Sequence, residues 1–369
     1  MTPANPDFSA SDTRLAQLRA KLKALELDGF LVSQAENRRY LSGFTGSAGW
    51  LLISANQALL ATDFRYYEQA ALESPHFDMV RLGPGLPEAL PGMLEKSGVG
   101  RLGFESDHAT FGDVQAWSKA APEHEWVPVQ GAVQQLRAVK DPEEIAIIRE
   151  AVVLADEAFA DAVAYVRAGV TEIELAWRIE TFMRTHGAEN VSFELIVSGG
   201  PNGARPHARA THAPLPLGEP VVIDIGARLH GYCSDLTRTV CLGQPNDPDR
   251  FWQIYTTVLR AQQAAEAAIR PGLTGQQVDA VARELIAEAG YGDFFGHGLG
   301  HGVGLAIHEE PRASRTSPSE LAAGNVLTIE PGIYVPGWGG VRIEDVVVLA
   351  DAGADVLSAA SKDPIILIR

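Results

Sequence analysis

Leu15, Leu18, Leu22 and Leu25 recur at intervals of three and four residues. Side chains at that spacing share one face of a helix, so the pattern predicts an amphipathic helix over 13–27. The residues before it, MTPANPDFSASD, are polar and read as a flexible tail over 1–12. Beyond the helix the apolar runs shorten to strand length at 29–33, 50–54 and 57–62, with Gly-, Asn- and Ser-rich segments between them. Strands and helices alternate to about residue 130, which predicts a small α/β domain over 13–135. The following stretch, LRAVKDPEE, is charged and then becomes helical. Asp141 followed by Pro142 is a cap followed by a first-turn proline. A second domain is therefore expected over 136–369, with the boundary near 132–140.

That second part contains a repeat. Arg167-Ala-Gly169-Val-Thr171 recurs as Arg270-Pro-Gly272-Leu-Thr274, followed by Glu174 in one copy and Gln277 in the other. Thr with Glu or Gln three residues on is a capping box, in which each side chain satisfies an otherwise unpaired N–H at a helix start. Each box opens an amphipathic run of about four turns. The runs end at Gly187 and Gly290 and give way to strand-like segments. Two unrelated capped helices would share some of this pattern, but the cap, the length and the terminal glycine all recur together. The expectation is a duplicated helix-then-strand unit, packed as one α+β domain with a cleft between the halves.

Composition narrows the function. The chain has 369 residues, 46% hydrophobic and 21% charged, which excludes a disordered or collagen-like protein. Its net charge of −17 argues against a general binder of nucleic acid or anionic membranes. The two cysteines, Cys233 and Cys241, cannot build a disulfide scaffold and fit a reducing compartment. There is no apolar run long enough to span a bilayer, and the first residues lack a secretory signal, so the expected location is the cytoplasm.

Three segments carry candidate chemistry. In VVIDIGARLHGYCSDLTRT, residues 221–239, Asp224 interrupts a buried-strand pattern, and the turn at Gly231 would bring Asp235 onto the neighbouring strand. A carboxylate inside an apolar strand is costly unless a cation or hydrogen bonds satisfy it. Taken alone, Asp224 reads more readily as a strand end that caps a turn. In FFGHGLGHGVGLAIHEEP, residues 294–311, the glycines around His297, His301 and His308 allow a close approach to a ligand. The segment is neither the helical zinc-protease motif nor a phosphate loop with its Lys-Ser/Thr. Histidines in a surface glycine loop remain an alternative. In VLTIEPGIYVPGWGGVRIEDVVVL, residues 326–349, Glu330 closes one strand, Glu344 precedes another, and Arg342 and Glu344 share a face by alternation. Either glutamate alone reads more readily as a strand-end charge.

Together the three segments point one way. Four carboxylates and at least one histidine sit at strand positions of one domain, and their mutual repulsion calls for cations. Two divalent ions would balance four carboxylates. Oxygen-dominated ligation with one imidazole suits Mn²⁺ or Co²⁺ and admits Zn²⁺. Two ions about 3.5–4 Å apart can hold a bridging water, lower its pKa and polarise a carbonyl, which is machinery for hydrolysis.

The run His297-Gly-Leu-Gly-His301-Gly-Val-Gly-Leu-Ala-Ile-His308-Glu309 matches the proline-peptidase signature at every defined position. The order Asp224, Asp235, His301, Glu330, Glu344 matches the five metal ligands of the same family. Asn37-Arg-Arg-Tyr40-Leu-Ser-Gly-Phe-Thr-Gly-Ser47 and Thr62-Asp-Phe-Arg65-Tyr resemble a creatinase-type N-terminal domain. The chain thus resembles, over nearly its whole length, the Xaa-Pro aminopeptidases and prolidases of the pita-bread metallopeptidase family. The resemblance implies an α+β fold, with a small α/β N-terminal domain ahead of a duplicated pita-bread catalytic domain. It implies two divalent ions per chain, Mn²⁺ first, bridged by Asp235 and Glu344. Asp224 would complete one ion, and His301 with Glu330 the other. Glu330 would also take a proton from the bridging water and pass it to the leaving amine. His207 would help stabilise the tetrahedral intermediate, His308 would contact the substrate, His297 would line the proline-side pocket, and Arg342 would orient the ligand carboxylates.

The implied activity is removal of the N-terminal residue from short peptides, first at Xaa-Pro bonds, with a dipeptidase or a broader aminopeptidase as the nearest alternative. A metal-free creatinase-like amidinohydrolase and a non-enzymatic binding module are more remote, since both lack the ligand set. The family also implies a homodimer. One departure stands out: after Pro206-His207, where many members have Gly or an aromatic residue, this chain has Ala-Arg209-Ala-Thr-His212. Arg205 or Arg209 could pair with a short peptide's C-terminal carboxylate, or be a solvated loop arginine.

Overall fold

Leu15, Leu18 and Leu22 are buried along one face of a helix that spans Ser9–Ala24 in a computed structural model. The structure describes residues 9–367, and every count below is of those residues. The helix differs from the expected 13–27 at both ends. Ser9–Asp12 are helical rather than tail, and residues 1–8 of the expected tail lie outside the described residues. At the other end Glu26 takes a left-handed backbone, φ 55°, and the Leu27 N–H turns back to the Leu22 carbonyl. Leu25 is consequently 41% exposed and does not extend the apolar face.

The chain divides into two compact units between Arg137 and Ala138. The first contains a six-stranded sheet of β1 (Gly29–Val32), β2 (Trp50–Ser54), β3 (Ala58–Thr62), β4 (Asp78–Arg81), β5 (Arg101–Glu105) and β6 (Glu125–Val129), in the order β4-β3-β2-β1-β5-β6. β1 to β3 pair antiparallel, whereas β4, β5 and β6 pair parallel to their neighbours. The three apolar runs anticipated by the sequence are its first three strands.

The second unit is built twice over the same plan. Asp141 and Glu144 form a capping box ahead of the helix Pro142–Tyr165. Thr171 and Glu174 form one ahead of Glu172–Thr185, and Thr274 and Gln277 one ahead of Gly275–Glu288. Gly187 and Gly290 follow the latter two helices with positive φ, as a chain leaving a helix favours. The strands of this unit are β7 (Asn190–Val191), β8 (Ile196–Gly199), β9 (Pro220–Ile225), β10 (Ala227–Leu229), β11 (Tyr232–Cys233), β12 (Leu236–Leu242), β13 (Gly300–Gly302), β14 (Glu309–Ala313), β15 (Val326–Ile329), β16 (Gly332–Val335), β17 (Gly339–Arg342), β18 (Asp345–Ala350), β19 (Gly353–Val356) and β20 (Ile365–Ile366). In the first half the two helices share a core with a sheet ordered β20-β12-β9-β8. In the second, Pro248–Ala268 and Gly275–Glu288 share a core with a sheet ordered β14-β13-β15-β18-β19.

β12 joins the halves. Leu236, Val240 and Leu242 enter the first core, while Cys241 enters the second, as the two-residue period of a strand requires. Its polar side chains hold the other half. Thr239 exchanges two hydrogen bonds with the backbone of Arg342, and the Glu344 N–H donates to the Thr237 carbonyl at 3.0 Å. Arg238 is fully buried and donates to the carbonyls of Glu344 and Ala360 and to the Asp345 carboxylate at 2.7 Å. Lys362 and Gln262 also bind that carboxylate. Removing one partner of such a buried pair leaves the other charge uncompensated. Arg238→Met should therefore cost about 3 kcal/mol or more of stability, read as a lower denaturant midpoint. An unchanged midpoint would show that Lys362 alone balances Asp345.

Candidate metal centre and cleft

The junction of the two halves brings the acidic strand residues together. On β9, Asp224 lies opposite Thr237 of β12, and Asp235 immediately precedes β12. His301 is the central residue of β13, which lies between β14 and β15. A Cβ on Gly300 would fall 1.9 Å from the Thr328 carbonyl, so only glycine lets β13 come this close to β15. Glu330 follows β15, its N–H bound to the Leu299 carbonyl at 2.8 Å, and Glu344 sits between β17 and β18.

Ligand atoms of Asp235, His301 and Glu344, all buried, lie within 4.8 Å of one another. His301 Nε2 is 3.6 Å from Asp235 Oδ2 and 3.4 Å from Glu330 Oε1. The Nδ1 of His301 lies 3.1 Å from its neighbour's carbonyl, Gly302 O, so Nδ1 carries the proton and Nε2 is left as a lone-pair donor. Asp224 binds Arg342 through Oδ2 at 2.5 Å, while its Oδ1 is buried without a hydrogen-bond partner. An orphaned carboxylate oxygen beside three buried donors is a site short of positive charge, and it fits divalent cations. All five expected ligands thus border one cleft, which encloses about 680 Å³.

Electrostatics agree with that reading. Burial, then the nearby Glu344, Asp224 and Glu330, hold the Asp235 carboxyl well above the usual carboxylate range. Burial, then Glu330 and Asp224, do the same to Glu344. Burial pushes Glu330 up to about 8. Burial and the adjacent His308 lower His301 to about 3, so its imidazole is neutral. Without cations these three carboxyls favour their protonated forms, and ions that bind would displace the protons.

Arg342 reaches two of the carboxylates, one directly and one through a hydroxyl. Nη2 binds Asp224, and Nε donates to Thr237 Oγ1 at 3.1 Å. That hydroxyl in turn donates to Glu344 Oε2 at 2.6 Å. A third arm, Nη1, donates to the Tyr334 hydroxyl at 2.7 Å, which lies 2.9 Å from His297 Nε2. The Nδ1 of His297 meets the Gly298 carbonyl at 2.7 Å. His297 borders the cleft as expected, but both its ring nitrogens are engaged by the protein, and burial lowers it to about 4. It therefore offers the cleft a neutral ring face.

His207 and His308 are exposed on the cleft wall, and the His308 ring packs edge-on against His301 with centroids 4.3 Å apart. Arg209 also lines the wall, whereas Arg205 turns to the Asn202 side chain. Three residues at this site had no place in the sequence reading: Thr237, Tyr334 and Arg312. Thr237 lies two positions after Asp235, hence on its face of the strand, and that spacing could have marked it. Tyr334 and Arg312 carried no comparable signal.

The family models agree with this geometry. Residues 146–351 match metallopeptidase family M24, and residues 14–139 match the creatinase/prolidase N-terminal domain. The chain belongs to metallopeptidase family M24. It is 42% identical to an uncharacterized peptidase, YqhT, of Bacillus subtilis, over 96% of this chain and 100% of that protein. Among solved structures, it superposes on the Xaa-Pro dipeptidase from Bacillus anthracis with a TM-score of 0.93 at 39% identity, covering 97% of this chain and 100% of that one. The X-Pro aminopeptidase from Thermotoga maritima gives 0.88 at 37% identity, over 96% and 99%. The fold is the expected one, a creatinase-type N-terminal domain with a pita-bread catalytic domain, and the protein is a metallo-exopeptidase. No described helix is long and apolar enough to cross a membrane.

Ligands that bind only the folded state stabilise it by about 2.7 kcal/mol at a hundredfold excess over their dissociation constant. Mn²⁺ should therefore raise the thermal midpoint of chelator-stripped protein. Asp235→Asn, which keeps the shape and removes the charge, should abolish most of that rise. A variant that responded to Mn²⁺ like the parent would remove Asp235 from the ligand set.

Proposed function

We propose that this M24 peptidase removes the N-terminal residue from short peptides at Xaa-Pro bonds. The observation that carries the reading is the buried donor cluster of Asp235, His301 and Glu344 at the floor of a cleft wide enough for a few residues of peptide. Asp224, Asp235, His301, Glu330 and Glu344 would hold two divalent cations. Such ions supply Lewis-acid polarisation of a carbonyl and a lowered pKa for water.

The chain's own groups divide the remaining work. Glu330 accepts the proton released by the attacking water and returns it to the departing amine. His207, on the cleft wall, donates to the oxygen that gains charge as the carbonyl becomes tetrahedral. His308 meets the substrate beside it. Arg342 holds Asp224 directly and Glu344 through Thr237, so the carboxylates keep their orientation as charge moves. A free substrate amine is drawn by the acidic cleft.

A second reading, preference for dipeptides, is favoured by the two arginines on the cleft wall. Arg209 is restrained only by exposed Glu194 at 3.4 Å, and Arg312 by Glu310 at 3.9 Å. Either can turn towards a C-terminal carboxylate, which in a dipeptide lies one residue beyond the scissile bond.

Ala-Pro, Ala-Pro-Ala and Ala-Ala-Ala, assayed with metal-reconstituted enzyme, separate these readings. Hydrolysis of the first two and not the third is expected. Equal turnover of Ala-Ala-Ala would rule out proline selectivity, and Ala-Pro alone would establish a dipeptidase. Chelation should abolish activity, and Mn²⁺ or Co²⁺ should restore it.

His207→Ala should lower kcat by about 10²–10³-fold, the usual loss for one transition-state donor, with bound metal unchanged. A variant that kept its kcat would take His207 out of the reaction.

A further inference from the structure

The duplication supplies an internal control for one side chain. Glu172 and Gly275 are the residues immediately after the two capping threonines. Both helix starts make the same backbone pairings. The Glu172 and Ile173 N–H groups donate to the carbonyls of Ala213 and Thr211 at 3.1 and 3.0 Å. The Gly275 and Gln276 N–H groups donate to those of Ser319 and Ser317 at 3.2 and 2.8 Å. Each start thus docks the end of a segment that forms a cleft wall. The first wall carries His207 and Arg209, the second Arg312 and Ser314.

The two copies differ in what fills the gap. A Cβ on Gly275 would lie 2.0 Å from the Arg312 carbonyl, so in the second copy backbone packs on backbone. In the first copy the gap holds the Glu172 carboxylate, 2% exposed. Oε1 accepts from the Gly199 N–H at 2.7 Å and from Asn202 Nδ2 at 3.2 Å. Oε2 accepts from the Thr211 N–H and hydroxyl at 2.9 and 2.6 Å and from the same Asn202 nitrogen at 3.0 Å. Asn202 Nδ2 also reaches the Arg209 carbonyl at 3.3 Å. The carboxylate therefore grips the His207 segment on both sides, at 199–202 and at 211. Arg342 holds it from the cleft side through the Pro206 carbonyl at 3.3 Å.

Because helix and loop make the same pairings in the second copy with no side chain at position 275, the buried charge in the first is not needed for that pairing. We propose that Glu172 is a positioning residue for His207, a clamp that fixes where its imidazole stands relative to the reacting carbonyl. The inference rests on the reading of His207 as a transition-state donor. Glu172→Gln tests it, since an amide has one accepting oxygen where two are used, and its NH₂ would face N–H donors.

The experiment is a double-mutant cycle of Glu172→Gln and His207→Ala. It uses metal-loaded full-length enzyme and whichever of Ala-Pro and Ala-Pro-Ala is turned over faster. Glu172→Gln alone should lower kcat by about 10- to 100-fold, the range for a displaced catalytic group, with KM and metal content nearly unchanged. In the His207→Ala background it should lower kcat by less than about twofold, because the group it positions is gone. A full, multiplicative loss in that background would overturn the clamp while leaving His207 in its role. An unchanged kcat in His207→Ala alone would overturn the reading of His207, and the clamp with it. Should Glu172→Gln fold poorly, Thr211→Ala removes one donor to the same carboxylate and is expected to show a smaller loss that likewise vanishes without His207.

Discussion

Acid groups that repel one another are buried at one seam of this protein. Asp224, Asp235 and Glu344 are each less than a tenth exposed, and Glu330 lies against His301. In a low-dielectric pocket their repulsion amounts to several kcal/mol unless opposite charge is near. The chain supplies one buried cation to this cluster, Arg342, and its three arms are spent on Asp224, Thr237 and Tyr334. Burial and the remaining deficit together show as raised carboxyl pKa values, and the deficit also as an Asp224 oxygen with no partner. A seam of this kind keeps protons or takes up cations, and that choice suits it to metal chemistry.

The same seam explains why the supporting bonds run across it. β12 belongs to the first half by its pairing with β9, yet Thr237, Arg238 and Thr239 each bind residues 342–345 of the second. Three successive side chains of one strand thus hold the segment that carries Arg342 and Glu344. Hydrogen bonds that converge on one short segment limit its motion more than the same number spread along the chain, and ligand geometry needs that rigidity.

What could be read from the sequence follows the range of the interactions. Capping boxes at Thr171 and Thr274 join residues three apart, so both the helices and their duplication were visible. The five candidate donors stood out because the carboxylates lie within or at the ends of apolar runs, and because their order and the glycine-spaced histidines resemble a family signature. The start of the first helix was not, since Ser9–Asp12 look like polar tail. Ser11 there binds the Leu41 carbonyl and lies near His76, partners 30 and 65 residues away. Tyr334 was missed for a related reason: a tyrosine in an apolar strand reads as core until Arg342 and His297 are seen at its hydroxyl. Glu172 carried no signal of its own, since its partners at 199, 202 and 211 lie beyond any local pattern.

The comparison between halves also bears on how such a cleft can change. The Arg312 wall packs carbonyl to glycine, an arrangement that leaves no side chain at the helix start to retune. Its variation must come from the loop residues themselves, Arg312, Ser314 and Thr316. The His207 wall hangs on a carboxylate that accepts from three separate points of the chain. A buried carboxylate tolerates the loss of none of these donors cheaply. The two corresponding loops are thus held by different contacts. The clamped one carries His207, and the other carries Arg312.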